Sequence, residues 1–156
     1  MPAPSPLGAL SMLKDYPDHH DAELVLRLYD LRREPVMREA RTLMSTQFLP
    51  KSYDELKTVV TSTASPLHAA FRQTTSYWEM AYGMAKHGII HADFLMENAG
   101  EGLLIYAKAL PWLPKLREET ARAYLQNAEW VVEHSEVAKA TFARFTATLA
   151  KQRPAK

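Results

Sequence analysis

The segment from Ser65 to Phe94, SPLHAAFRQTTSYWEMAYGMAKHGIIHADF, decides the fold. Leu67, Phe71, Thr74, Trp78, Ala81 and Ala85 recur at steps of four and three, the spacing that lines one face of an α-helix. Ser65-Pro66 supplies an N-cap followed by a proline at the first helical position, and Gly88 can take the left-handed conformation that ends a helix. Start signal, apolar face and stop signal agree, so a helix is expected over residues 65–87, with a restart at His91.

Outward from this segment the same spacing recurs between prolines and glycines. Residues 18–33 read as a helix with acids near its start and Arg32-Arg33 near its end, as the helix dipole favours, and with Leu24, Leu28 and Leu31 as its stripe. Pro35 cannot continue that helix but suits the first turn of another, expected over 35–48 and closed by Pro50. Ser52 and Glu55 form the pattern of a capping box for a helix over 52–61. Short helices are expected over 91–98 and 101–110, with Pro111 and Pro114 breaking the chain around Trp112. From Lys115 to Ala150 the residues Tyr124, Ala128, Val131, Ser135, Ala138, Phe142, Phe145 and Leu149 keep a 3.5-residue spacing, the seam of a bundle. That seam fits one long kinked helix, or two abutting helices with Ser135 as a cap. No stretch alternates with period two. The expectation is an all-α, single-domain helical bundle over 18–152, behind an extended or disordered lead-in over 1–17 whose three early prolines disfavour regular structure.

Composition narrows the function classes. The 156 residues suit one domain. Nineteen Lys and Arg against eighteen Asp and Glu give no net charge that would draw the chain to nucleic acid or an anionic membrane. Absence of cysteine removes disulfides, thiolate catalysis and cysteine-ligated metals. No apolar run reaches the roughly 20 residues that span a bilayer, and no secretory signal pattern opens the chain, so a cytoplasmic location without membrane partners is expected.

Motifs that carry chemistry are sparse. Gly100 and Gly102 are followed by Leu103-Leu104, without the further glycine, lysine or serine of a phosphate loop, and neither a nucleophile elbow nor a paired-histidine zinc motif occurs. Bundles can hold metals on inward histidines and carboxylates, which makes His68, His87 and His91 the candidate ligands and Glu79, between Trp78 and Met80, the candidate catalytic group. Gly88 separates His87 from His91, so His87 as a cation at a helix end and His91 as a cap are the simpler roles. Arg32, Arg33, Arg38 and Arg41 on two helices around Pro35 raise the question of phosphate contacts, but Glu34 and Glu39 dilute the charge and the proline replaces a proper turn.

The motifs Leu28-Tyr29-Asp30-Leu31-Arg32, Met37-Arg38-Glu39-Ala40-Arg41, Tyr77-Trp78-Glu79, His87-Gly88-Ile89-Ile90-His91-Ala92-Asp93-Phe94 and Trp112-Leu113-Pro114-Lys115-Leu116-Arg117 occur in that order. In this the chain resembles, over residues 21–120, a group of small all-helical bacterial proteins of unknown function. It departs from the group at Ile105-Tyr106-Ala107, where the group places a tryptophan. The resemblance implies no activity.

The long seam motivates the leading expectation, a non-enzymatic helical interaction or regulatory module that needs no cofactor and associates with itself or another helical protein. Met80, Met84, Phe142, Phe145 and Leu149 are its expected surface. The alternatives are a metal-dependent or acid–base enzyme built on Glu79, His68, His87 and His91, and nucleic-acid binding through the arginine-rich helix pair.

Overall fold

In the computed structural model, residues 13–153 are described, and among them there is no strand. The helices are α1 (His19–Arg32), α2 (Pro35–Thr46), α3 (Tyr53–Thr61), α4 (His68–Lys86), α5 (Ala92–Asn98), α6 (Gly102–Ala109), a 3-10 turn (Leu110–Trp112), α7 (Leu113–Thr120), α8 (Gln126–His134) and α9 (Glu136–Gln152). They share one apolar core and form a single all-α domain. No described helix is long and apolar enough to cross a membrane.

Helix α4 is the spine. It buries Phe71, Thr74, Tyr77, Trp78, Ala81, Tyr82 and Ala85, and packs on α2, α3, α5, α6 and α8. Burying each large apolar side chain contributes about 1.5–3 kcal/mol. The helix stops as expected at Gly88, whose φ is 70°. Gly88 N donates to Ala85 O and Ile89 N to Met84 O, the paired bonds of a Schellman end. Its start differs from the expectation. Ser65 Oγ accepts from Leu67 N at 3.3 Å, and Ser65 O accepts from His68 N at 3.1 Å. Ser65 therefore shapes a turn ahead of the helix rather than capping it.

The approach of α6 to α4 depends on Gly102. A Cβ there would lie 2.6 Å from Trp78 Cγ and 2.6 Å from the Tyr82 hydroxyl. Tyr82 in turn donates to Ala99 O at 2.7 Å and fixes the start of α6. Helix α9 packs on α5, α6 and α8. It buries Ala138 and Leu149 and sets Phe142 against Tyr106 with ring centroids 5.4 Å apart.

The seam expected over 115–150 as one kinked helix or two abutting ones is three helices. One break is at Ser135, whose Oγ accepts from Ala138 N at 3.1 Å and caps α9. The other spans residues 121–125, where Ala121 (φ 52°) and Leu125 (φ 59°) both lie in the left-handed region. No glycine or proline marks that break; Arg117 Nε holds it by donating to Tyr124 O at 2.9 Å, and Leu125 is buried.

At the other end, α1 carries a capping box that the sequence reading did not anticipate. Asp18 Oδ1 accepts from Asp21 N, and Asp18 N donates to Asp21 Oδ2, both at 3.1 Å. Asp21 is wholly buried and pairs with Lys14 at 2.8 Å. Leu31, placed by spacing in the α1 stripe, is instead 50% exposed. In α3, Ser52 Oγ accepts from Glu55 N as expected, while Glu55 reaches Lys51 N instead of Ser52 N. The expected lead-in lies outside the described residues over 1–12; residues 13–17 are tied to the body through Lys14 and through Asp15 O, which accepts from His91 Nε2 at 3.1 Å.

Candidate functional site

Glu79 sits mid-way along α4 and half-buried. Its Oε2 accepts from Asn127 N and its Oε1 from Ala128 N, both at 2.9 Å, while Asn127 Nδ2 donates to Glu79 O at 3.0 Å. Helix α8 begins at Gln126 behind Leu125, which offers no side-chain cap of its own. Glu79 thus satisfies first-turn amides of another helix and sets a negative charge at its positive end. Burial raises the Glu79 pKa, and the two amide hydrogen bonds offset part of that rise.

Lys108 plays the mirror role. It is 4% exposed and donates from Nζ to Met44 O at 2.8 Å and Ser45 O at 3.1 Å, covering carbonyls at the end of α2. Burial lowers its pKa to about 8, with the nearby Arg153 charge adding to the effect. Asp93 joins a third pair of helices: its Oδ1 accepts from Ser135 Oγ at the start of α9. Glu79, Lys108 and Asp93 all act on helix ends.

The candidate histidines are dispersed. His68 donates through Nδ1 to Val59 O at 2.9 Å and ties α4 to α3. His87 is the exposed C-cap residue of α4. His91 accepts from Phe94 N through Nδ1 at 3.1 Å and caps α5, so the proton it gives to Asp15 O is on Nε2. His68 and Glu79 line one cleft, and His91 lines a smaller recess with Asp93 and His134. Among the described residues no group of three or more His, Asp or Glu could hold a metal ion.

Two of the clustered arginines turn inward. Arg41 reaches Glu101 at the start of α6, with Nη2 2.6 Å from Oε2 and Nε 3.1 Å from Oε1. Arg32 Nη1 donates to Asn98 O at 2.9 Å, at the end of α5, and its guanidinium lies over Tyr29. Arg38 Nη2 donates to Arg33 O at 2.8 Å. The Arg32 and Arg41 bonds staple α1 and α2 to α5 and α6, and the Arg38 bond ties α2 to the end of α1.

Of the residues expected to form an interaction surface, Met80 is 46% exposed, Met84, Phe142 and Phe145 are half-buried, and Leu149 is buried. Apolar exposure is concentrated elsewhere. Leu26, Tyr29, Leu31 and Val36 are all exposed, along α1 and at the start of α2. Periodicity could not reveal which of these side chains stay exposed, because Leu24, Val25, Leu26, Leu28, Tyr29 and Leu31 wrap most of the way round α1.

A cleft of about 890 Å³ lies between α3, α4 and the 121–125 connection. His68, Arg72, Thr75, Ser76 and Glu79 enter it from α4, and Arg122 faces them from the connection. Sequence reading missed it, since its walls lie some fifty residues apart.

The family described as Domain of unknown function (DUF4760) matches residues 17–135. The chain belongs to this DUF4760 family. The matched span opens at the capping box of α1 and closes on Ser135, the cap of α9, so it contains the α1 face, Glu79 with its α8 partner, and both walls of the cleft. No curated protein and no solved structure matches the chain.

Proposed function

We propose that this DUF4760 protein is a non-enzymatic helical interaction module that pairs weakly with a second copy of itself through α1. The carrying observation is the concentration of exposed apolar side chains. Seven large apolar residues are exposed among those described, and four of them, Leu26 (66%), Tyr29 (46%), Leu31 (50%) and Val36 (59%), fall between positions 26 and 36. Leu26 and Tyr29 share one side of α1 and Leu31 lies on another, so Leu26 and Tyr29 form the exposed apolar pair that a partner would cover.

Charge along α1 supports a second copy as the occupant. Leu26 and Tyr29, three residues apart, share a face, with Glu23 on the N-terminal side and Arg32 and Arg33 on the C-terminal side. Antiparallel two-fold pairing centred between positions 27 and 28 sets Leu26 on the second copy's Tyr29 and Glu23 beside its exposed Arg33. Each contact occurs twice, as a two-fold interface requires. A 14-residue helix is only about 21 Å long. Such a pairing buries less than the roughly 1,200–2,000 Å² of stable interfaces, so it is concentration-dependent and suited to regulation.

The chain has no cysteine, so Asp30→Cys carries the only thiol. A short bismaleimide should link two such chains, while Glu118→Cys on α7 should stay monomeric and Leu26→Glu should abolish the link. Equal linking at both sites, or linking that survives Leu26→Glu, would remove the proposal.

A further inference from the structure

We infer that the cleft between α3, α4 and the 121–125 connection binds a small organic anion, with an apolar body and a carboxylate or phosphate head. His68, Arg72, Thr75, Ser76 and Glu79 follow at steps of four, three, one and three, which sets them on one face of α4. Arg122 stands on the opposing wall. Charge in the cleft is not balanced internally. Arg41 is matched by Glu101 and Arg117 by Glu129. Arg72 and Arg122 have no carboxylate partner among the described residues. The one carboxylate on the cleft wall, Glu79, turns both oxygens to the amides of α8. The surplus is positive, and arginine forks match carboxylate and phosphate oxygens.

The opposing wall is held in shape before any ligand arrives. Ala121 and Leu125 keep left-handed conformations that are unfavourable for a non-glycine residue, and such strain persists only where surroundings over-determine it. Here Arg117 fastens Tyr124 O, and Leu125 is buried against the core. The half-buried ring of Tyr124 supplies apolar lining for the body of the ligand. The volume of about 890 Å³ lies within the range of small-molecule sites. This site is separate from the α1 face and does not depend on self-association.

The test titrates the full chain with phenyl phosphate, benzoate and, as the uncharged comparison, benzyl alcohol, by calorimetry and amide chemical shifts. One or both anions should bind saturably, moving the amide signals of Thr75, Ser76 and Ala123, and benzyl alcohol should not. Arg72→Gln and Arg122→Gln should each weaken binding about tenfold, while Arg27→Gln on α1 should leave it unchanged. The inference is overturned if neither anion binds saturably up to about 10 mM, if benzyl alcohol binds as well, or if the shifts map elsewhere. The shift map decides the matter even for a variant that folds poorly.

Discussion

Replacing Glu79 by alanine removes two hydrogen bonds, each 2.9 Å, from the first turn of α8 and leaves the Asn127 and Ala128 amides without their acceptor. Bonds to a charged acceptor contribute about 1.5–3 kcal/mol each, and loss of a helix cap alone costs about 0.5–2 kcal/mol. Burial of the carboxylate, which raises its pKa, offsets part of that gain. The expected net loss is about 2–3 kcal/mol, or about 4–12 °C in Tm for a domain of this size. Glu79→Gln keeps one acceptor oxygen and should lose less. Thermal and urea unfolding followed by circular dichroism measure both, and hydrogen exchange at Asn127 and Ala128 should quicken in Glu79→Ala. The pH dependence has a definite sign. The folded chain holds the Glu79 proton more tightly than the unfolded chain, whose carboxyl titrates near 4.5. The contribution of this group is therefore full below pH 4.5 and declines as pH climbs through the raised folded value. The stability gap between the native protein and Glu79→Gln should narrow over that interval. A Glu79→Ala protein that melts within about 1 °C of the native one would refute the capping role.

Lys108, with its pKa lowered from 10.5 to about 8 by burial, gives the opposite sign: the folded chain releases this proton first, so stability relative to Lys108→Met should rise by up to about 3 kcal/mol between pH 8 and 10.5. A flat difference in urea midpoints across that range would contradict it. Ala121→Gly, at an exposed position with φ 52°, should stabilise by about 0.5–1 kcal/mol by removing left-handed strain; a lowered urea midpoint would show that the strain is absent. Gly102→Ala adds a methyl 2.6 Å from Trp78 Cγ and the Tyr82 hydroxyl, and should destabilise by about 2 kcal/mol or more. An unchanged melting curve would mean that α6 can back away from α4.

Helix ends were mostly legible where their signals are local, Ser65-Pro66 being the exception, since Ser65 caps a turn ahead of α4 instead of the helix itself. Gly88, Pro35 and Ser52 act within about one turn and the chain turns at all three, and of the two readings left open at Ser135 the structure takes the capped break. The 121–125 break was not legible, because its bonds come from Arg117 and Glu79, the latter 48 residues from Asn127. Glu79 stood out in the sequence as a charge at the centre of an amphipathic helix. Its partners did not, since backbone amides carry no residue-type signature. The face of α1 was misread at Leu31 for a different reason: when apolar residues nearly encircle a helix, spacing no longer says which side is covered. The buried side is chosen by the Lys14–Asp21 pair and by the Tyr77 hydroxyl bonded to Leu28 O.

Self-pairing through α1 is tested most directly by sedimentation equilibrium of the native protein and Leu26→Glu over about 5–500 µM, the range in which a pairing this small should form. The weight-average mass of the native protein should climb from one chain toward two as concentration rises, and Leu26→Glu should stay at one chain throughout. A native protein that remains at one chain mass up to the highest concentration, or a Leu26→Glu protein that associates equally, would contradict the account.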